Sequence, residues 1–215
     1  MNKGIFITAT DTGVGKTYVA CALARALRAA DVSCGVLKPI SSGGRDDARE
    51  LIAASATRDT LNMVNPIYLK CPLAPLMSSR REKKNISLEP VWKSYQRCCR
   101  TYDFTIVEGA GGVMVPIRKD YFVRDMIAHV HLPVLIVARP DLGTINHTLL
   151  SVAALEAASI NVLGIVVSYI RKPTRDEEET ADVIGQLSRL PVARVAPGGT
   201  LSRKDCAWII GKRSL

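Results

Sequence analysis

No apolar run in this 215-residue chain approaches the length needed to cross a bilayer, roughly 20 residues. Met1, Asn2 and Lys3 lead straight into a strand-like segment with no secretory hydrophobic region, so a cytoplasmic protein with no membrane partner is expected. Aromatic residues are scarce, at 5%. The six cysteines, Cys21, Cys34, Cys71, Cys98, Cys99 and Cys206, include no CxxC pair, which argues against a zinc or dithiol motif and for incidental reduced thiols. Internal repeats and low-complexity segments are missing. So is a convincing Ser/His/Asp or Cys/His constellation, and nothing suggests a covalent enzyme nucleophile.

Acidic residues are also in deficit, with 20 Asp and Glu against 29 Lys and Arg, a formal charge of +9. Much of the excess is local: from Lys70 to Arg100 there are eight basic residues against two Glu. That segment lacks the interleaved aromatics of a single-strand binder and any recognisable major-groove reader, so no nucleic acid is expected. A solvated basic face, or a general attraction for anionic ligands, accounts for it.

What is present is a globular composition, 47% hydrophobic and 23% charged, in a length that suits one substantial domain. Apolar strand-like runs at 4–7, 33–37, 104–108, 133–138, 162–167 and 192–196 alternate with helical patterns at 18–30, 46–56, 89–101, 143–158 and 176–189. Such alternation predicts an α/β fold, a mostly parallel sheet with helices on both faces, spanning 1–215. Residues 62–79, with Pro66, Pro72 and Pro75, read as a loop covering the site, and the tail 197–215 has no clear pattern.

The most informative stretch is Thr8-Ala9-Thr10-Asp11-Thr12-Gly13-Val14-Gly15-Lys16-Thr17, set between a strand and a helix. Gly13 and Gly15 allow main-chain amides to converge on phosphate oxygens, and the following helix aims its positive end at the same point. Lys16 would reach the terminal phosphates and Thr17 would ligate Mg²⁺, the roles of a P-loop. Thr10 stands where the usual pattern has glycine, so the alternative of an ordinary glycine-rich turn is opposed by the strand, loop and helix context rather than by the letters alone. A second element is Lys38-Pro39-Ile40-Ser41-Ser42-Gly43, which puts a lysine at a strand's carboxyl end, where open α/β sheets bind ligands. Asp46 and Asp47 follow at a helix start, where local chemistry favours capping. A third is Glu108-Gly109-Ala110-Gly111-Gly112: an acid at a strand tip beside a phosphate loop is the usual means of holding Mg²⁺. Finally, Asp141-Leu142-Gly143-Thr144-Ile145-Asn146-His147 opens a helix whose amides suit a carboxylate, with His147 read as a packing or capping residue.

In this order the four segments resemble the dethiobiotin synthetase family, from Gly4 to about Pro197. The match comprises the loop Thr10 to Thr17, Lys38-Pro39-Ile40-Ser41-Ser42-Gly43, Glu108-Gly109-Ala110-Gly111-Gly112 with Val115-Pro116, and Leu142-Gly143-Thr144-Ile145-Asn146-His147. The family's own loop shares the departure at Thr10. The resemblance implies an ATP-dependent cyclo-ligase of biotin biosynthesis that makes a cyclic urea from 7,8-diaminononanoate and CO₂ through a phosphorylated carbamate. By motif position, Lys16, Lys38, Thr12 and Ser42 would be catalytic. Thr12, Gly13, Val14, Gly15, Lys16, Thr17, Glu108, Ser168 and Pro197 would bind the nucleotide. Thr17, Asp47 and Glu108 would serve Mg²⁺, which reverses the capping preference for Asp47. Lys38, Ser42, Gly111 and the Gly143, Thr144, Ile145 and Asn146 helix start would hold substrate, the last contributed by the other subunit of a homodimer.

Departures from the family pattern fall on the nucleotide side. Ala9 replaces a usual glycine, Ser168 a usual asparagine, Arg194 a usual glycine, and Gly198-Gly199-Thr200 a usual apolar continuation. Serine cannot present an amide's paired donor and acceptor, so weakened discrimination between ATP and other triphosphates is expected. The competing reading is a partitioning or positioning ATPase that switches protein partners. Such proteins carry an extra lysine early in the loop, and positions 8 to 15 contain none.

Overall fold

The computed structural model describes residues 3–210. Six parallel strands form the central sheet: β1 (Gly4–Ala9), β2 (Cys34–Leu37), β5 (Phe104–Glu108), β8 (Val134–Ala138), β9 (Val162–Ser168) and β10 (Val192–Val195), in the order β10-β9-β8-β1-β5-β2. Between them run β3 (Ile40–Ser42) and β4 (Ile67–Leu69), which pair in parallel, and β6 (Pro116–Arg118) and β7 (Tyr121–Phe122), an antiparallel pair. The larger helices are α1 (Lys16–Ala29), α2 (Asp46–Ser55), α5 (Glu89–Thr101), α6 (Val123–Val130), α7 (Thr144–Glu156) and α8 (Arg175–Ser188).

The strands are apolar almost without interruption because both faces of the sheet are covered. Alternation then sorts their side chains: Ile5, Ile7, Ala9, Val36, Ile106, Leu135 and Val137 enter the core beneath α1 and α2. Phe6, Leu37, Val107, Val134 and Ile136 enter the opposite core, with Met126 of α6 and Leu155 of α7. Helix α1 contributes Val19, Leu23 and Leu27, a one-face spacing, to the first of these.

Three segments differ from the sequence expectation, one of them 116–130, where β6, β7 and α6 stand and the sequence pattern marks no element. The stretch 62–79 carries α3 (Leu61–Val64), β4 and the start of α4 (Pro75–Arg81), where Pro75 occupies the tolerant first turn. The tail contains α9 (Arg203–Ile210), whose Cys206, Ile209 and Ile210 join the α1 core. Trp208 lies over Gly164 of β9 so closely that a Cβ there would be 2.6 Å from the indole ring. The remainder of the tail, 211–215, and the first two residues lie outside the described residues. The cysteines are unpaired, as expected, and burial raises the Cys21, Cys34 and Cys98 thiols to about 12. Among the described residues no helix is long and apolar enough to cross a membrane.

Leu23 is fully buried on the helix that follows the phosphate loop. Leu23→Ala is expected to cost about 2–5 kcal/mol, read as a lower denaturation midpoint with an unchanged m-value.

Candidate active site

The sheet order β1-β5-β2 sets three loop starts side by side at the carboxyl edge. Parallel register pairs Ile7 with Glu108 and Leu37 with Val107, so the phosphate-type loop, Glu108 and Lys38 emerge at one level. In the loop, Gly13 (φ 70°) and Gly15 (φ 98°) hold left-handed conformations that side chains disfavour. Gly15 is also the N-cap of α1 and supplies no side-chain cap, which leaves the helix's first amides to an anion. Val14 points into the core, so its part in the loop is main chain. Lys16 folds back over the loop and donates to the Asp11 carbonyl at 2.9 Å. Burial, then the neighbouring Lys38, lowers the Lys16 pKa from 10.5 to about 8.

Lys38 is pinned by its main chain, donating to the Val64 carbonyl at 2.8 Å and accepting from the Asn65 amide at 2.8 Å. Its ammonium is buried between two carboxylates, donating to Glu108 Oε1 at 2.5 Å and to Asp47 Oδ2 at 2.7 Å. Burial opposes the Lys38 charge, but Glu108 and Asp47 outweigh it and raise its pKa. Burial likewise opposes the Asp47 charge, and Lys38 overcomes it to hold that carboxyl below its ordinary range. Thr17 donates its hydroxyl to the same Glu108 Oε1 at 2.9 Å. Glu108 is 0% exposed, and its Oε2 has no hydrogen-bond partner among the described residues. An unpaired buried carboxylate oxygen is costly and, beside the Thr17 hydroxyl and Asp47, gives an all-oxygen donor set suited to a hard cation such as Mg²⁺.

These groups line one pocket of about 830 Å³, together with Thr12, Gly13, Gly15, Ser42 and Gly111. Ser41, which the sequence analysis did not single out, lines it too, and the Ser41 and Ser42 hydroxyls are buried without partners among the described residues. Pro72 to Pro75 form one rim, in keeping with a covering role for that stretch. Asp46 pairs instead with Arg49 on the surface, and Asp47 turns inward to Lys38, so neither caps its helix through a side chain.

The remaining expected residues lie elsewhere. Gly143, Thr144 and Ile145 line a separate pocket of about 280 Å³. Asn146 and His147 are exposed, so His147 does not pack in the core. Ser168 is 4% exposed and lies behind Gly15: a Cβ on Gly15 would be 2.5 Å from the Ser168 hydroxyl. Pro197 stands on an exposed turn. Arg194 of β10 is exposed and pairs with Asp182 of α8 at 2.5 Å.

Comparison with known proteins places this geometry. A family described as "AAA domain" matches residues 3–199. The ATP-dependent dethiobiotin synthetase of Endomicrobium trichonymphae is 38% identical over 98% of this chain and 100% of its own length. The chain belongs to the dethiobiotin synthetase family. The synthetases of Methanocaldococcus jannaschii, 45% identical over 77% of this chain and 79% of theirs, and Bacillus licheniformis, 41% over 91% and 86%, are also similar to it. Among solved structures, a septum site-determining protein complexed with Mg-ADP from Pyrococcus horikoshii aligns with a TM-score of 0.57 at 15% identity, covering 91% of this chain and 82% of that one. A ParA family ATPase from Chlorobium tepidum aligns with a TM-score of 0.55 at 15% identity, covering 100% and 92%. At that identity the likeness is one of fold: this member of the synthetase family has the P-loop α/β architecture.

The lowered Lys16 pKa carries a sign that can be tested. Between pH about 8 and 10.5 the unfolded chain holds a proton that the folded chain lacks, so Lys16's contribution to stability rises with pH across that window. Anion binding moves the other way, since it needs the ammonium charged. Calorimetric titration with inorganic tripolyphosphate should show affinity falling as pH passes about 8, with the step absent in Lys16→Met.

Proposed function

We propose that the protein forms dethiobiotin from 7,8-diaminononanoate, CO₂ and ATP. The observation that carries this is the buried Lys38 and Glu108 pair, with the half-exposed Asp47 on the same ammonium, beside the phosphate loop in a chain of this family. One amine of the diamine takes up CO₂, drawn from bicarbonate, as a carbamate. A carbamate oxygen attacks the γ-phosphorus and the bond to ADP breaks. The second amine then attacks the carbamate carbon, loses its proton, and expels phosphate as the ring closes. Anion approaches anion in the phosphoryl step, so the site's task is to neutralise charge and hold the reactants in line.

This chain's residues divide that work. The amides of Thr12 to Gly15 and the Lys16 ammonium hold the β- and γ-phosphates. Lys38 faces the carbamate and the transferring phosphoryl group, which requires it to give up part of its hold on Glu108 or Asp47. Thr12 and Ser42 hydrogen-bond the carbamate, and the Ser42 hydroxyl, buried without a partner, is suited to it. Gly111, at φ 64° on the pocket wall, lets main chain approach the substrate. Mg²⁺, which Thr17, Asp47 and Glu108 would hold, would neutralise charge on the phosphoryl oxygens. Other nucleoside triphosphates would serve as well as ATP, because Ser168 is buried against Gly15 and offers no amide edge to a base.

The working form in this reading is a homodimer. Its support is that Gly143, Thr144 and Ile145 line a pocket apart from Lys38 within one chain, so the helix start, with Asn146, would receive the diamine's distal carboxylate across a subunit interface. A switch ATPase of the partitioning kind shares the fold, but its early loop lysine has no counterpart at positions 8 to 15.

Supplying the diamine, bicarbonate, Mg²⁺ and ATP should yield dethiobiotin by mass spectrometry. No product from folded protein that binds nucleotide would refute the activity. Lys16→Ala and Lys38→Ala should each reduce turnover by at least about 100-fold, the scale of losing one charge-stabilising donor; an active Lys38→Ala would remove Lys38 from the catalytic set. In parallel, kcat/KM for GTP should lie within about tenfold of that for ATP, the reach of one weak contact, and a strong ATP preference would contradict the reading of Ser168.

A further inference from the structure

Tyr18, the residue after Thr17, is half-buried on the first turn of α1 and reaches across to the far end of the chain's core. Its hydroxyl lies 2.9 Å from the Ala196 carbonyl and 2.7 Å from the Gly199 carbonyl, a three-centre donation to two peptide oxygens 178 and 181 positions away. Those two residues are the ends of one turn. The Gly199 amide donates to the Ala196 carbonyl at 2.9 Å, Pro197 occupies the second position and Gly198 the third, with φ 65°. This is the signature of a type II turn, in which proline presets one dihedral and glycine supplies the positive φ. The turn is therefore stiff in itself, and Tyr18 fixes where it stands relative to the phosphate loop.

Its location matters for any nucleotide held by that loop. Toward β5 and β2 the loop meets Lys38, Glu108 and Asp47, a dense set of charges that suits phosphoryl groups and a cation. A nucleoside, neutral and flat, must leave the phosphates in another direction. Toward β9 and β10 the loop meets Ser168 behind Gly15 and then the Tyr18-bound turn. That turn presents the Pro197 ring and the Gly198 peptide to solvent, with open space at Gly198. An apolar ring beside a peptide edge is a surface on which a heterocycle can stack without its identity being read.

We infer that Tyr18 is a positioning residue for the nucleoside: it holds the Pro197-Gly198 turn as the platform for the base and so couples the phosphate loop to the base end of the site. The inference rests on the nucleotide reading above. It assigns to Tyr18 the nucleoside's share of affinity and none of the triphosphate's.

The test is calorimetric binding of ATP, GTP and inorganic tripolyphosphate to the wild-type chain, Tyr18→Phe and Gly198→Ala. Tyr18→Phe keeps the ring and removes the donation; Gly198→Ala leaves Tyr18 intact and strains the turn at its positive φ. Each variant is expected to weaken ATP and GTP together by about fivefold, the scale of one net hydrogen bond, with tripolyphosphate unchanged. In turnover the same variants should raise KM for ATP and leave kcat and KM for the diamine unaltered. Unchanged ATP affinity in folded Tyr18→Phe overturns the inference, as does an equal loss for ATP and tripolyphosphate, which would mean that the side chain only braces α1. A wild-type chain that binds tripolyphosphate no more weakly than ATP also overturns it. Tight ATP binding without dethiobiotin formation would sink the proposed activity and leave this inference standing.

Discussion

The site depends on one arrangement, a buried ammonium held between two carboxylates. Lys38, at 4% exposure, is held charged by Glu108 and Asp47, and the fully buried Glu108 is paired with Lys38 and accepts from the Thr17 hydroxyl. With Lys16 alongside, two positive and two negative groups share the pocket and their formal charges cancel. Cancellation is not completion, because Glu108 Oε2 and the Ser41 and Ser42 hydroxyls are unpaired among the described residues. A buried polar group without a partner costs about 1–3 kcal/mol, so these oxygens suit a ligand that supplies the missing partners. The arrangement is balanced in formal charge and incomplete in hydrogen bonding, which suits the metal-bound triphosphate of the proposed reaction.

The fold holds this cluster in place by topology. Lys16, Lys38 and Glu108 come from three different loop starts, and Thr17 and Glu108 are 91 positions apart. Adjacent parallel strands put such residues at one edge because every strand of a parallel sheet ends on the same side. Register does the rest: Glu108 pairs with Ile7 of β1, so the acid sits just below the loop that β1 feeds. Helix α1 is anchored beneath by Val19, Leu23 and Leu27, and α2, which carries Asp47, packs on it through Leu51 in the same core. A shift of either helix would alter the spacing of the charges, which is why core packing and site chemistry are not separable here.

Legibility in the sequence followed the range of the interactions. The phosphate loop, Lys38 and the Glu108 turn were legible because each is a strand end followed by glycine or proline, a pattern that is complete within ten residues. The inward turn of Asp47 was not legible in its own neighbourhood, because local chemistry at a helix start favours capping; what overrides it is the pairing with Lys38, to which the short β3 strand leads back. Between 62 and 79 the elements α3 and β4 are four and three residues long, too short for periodicity to declare them. Helix α9 was invisible for a different reason: its seat is Gly164, more than forty positions upstream, where the absence of a side chain makes room for Trp208. Tyr18 read as an ordinary helix residue, since nothing near it in the chain indicates that its hydroxyl is used on the Ala196 to Gly199 turn.

In the proposed nucleotide site, the close approach of Ser168 to Gly15 joins the phosphate loop to β9. Gly15 is restricted twice, by its φ of 98° and by a space in which a Cβ would meet the Ser168 side chain at 2.5 Å. The constraint is reciprocal. A longer residue at 168 that kept serine's direction would press on the phosphate loop, so an amide there would have to turn away from Gly15. Serine makes the opposite choice, filling the space behind the loop and giving up the reach. In the proposed nucleotide site, residue 168 can therefore brace the loop or reach outward but not both, and Ser168 sits against Gly15, which leaves the base to the turn that Tyr18 holds.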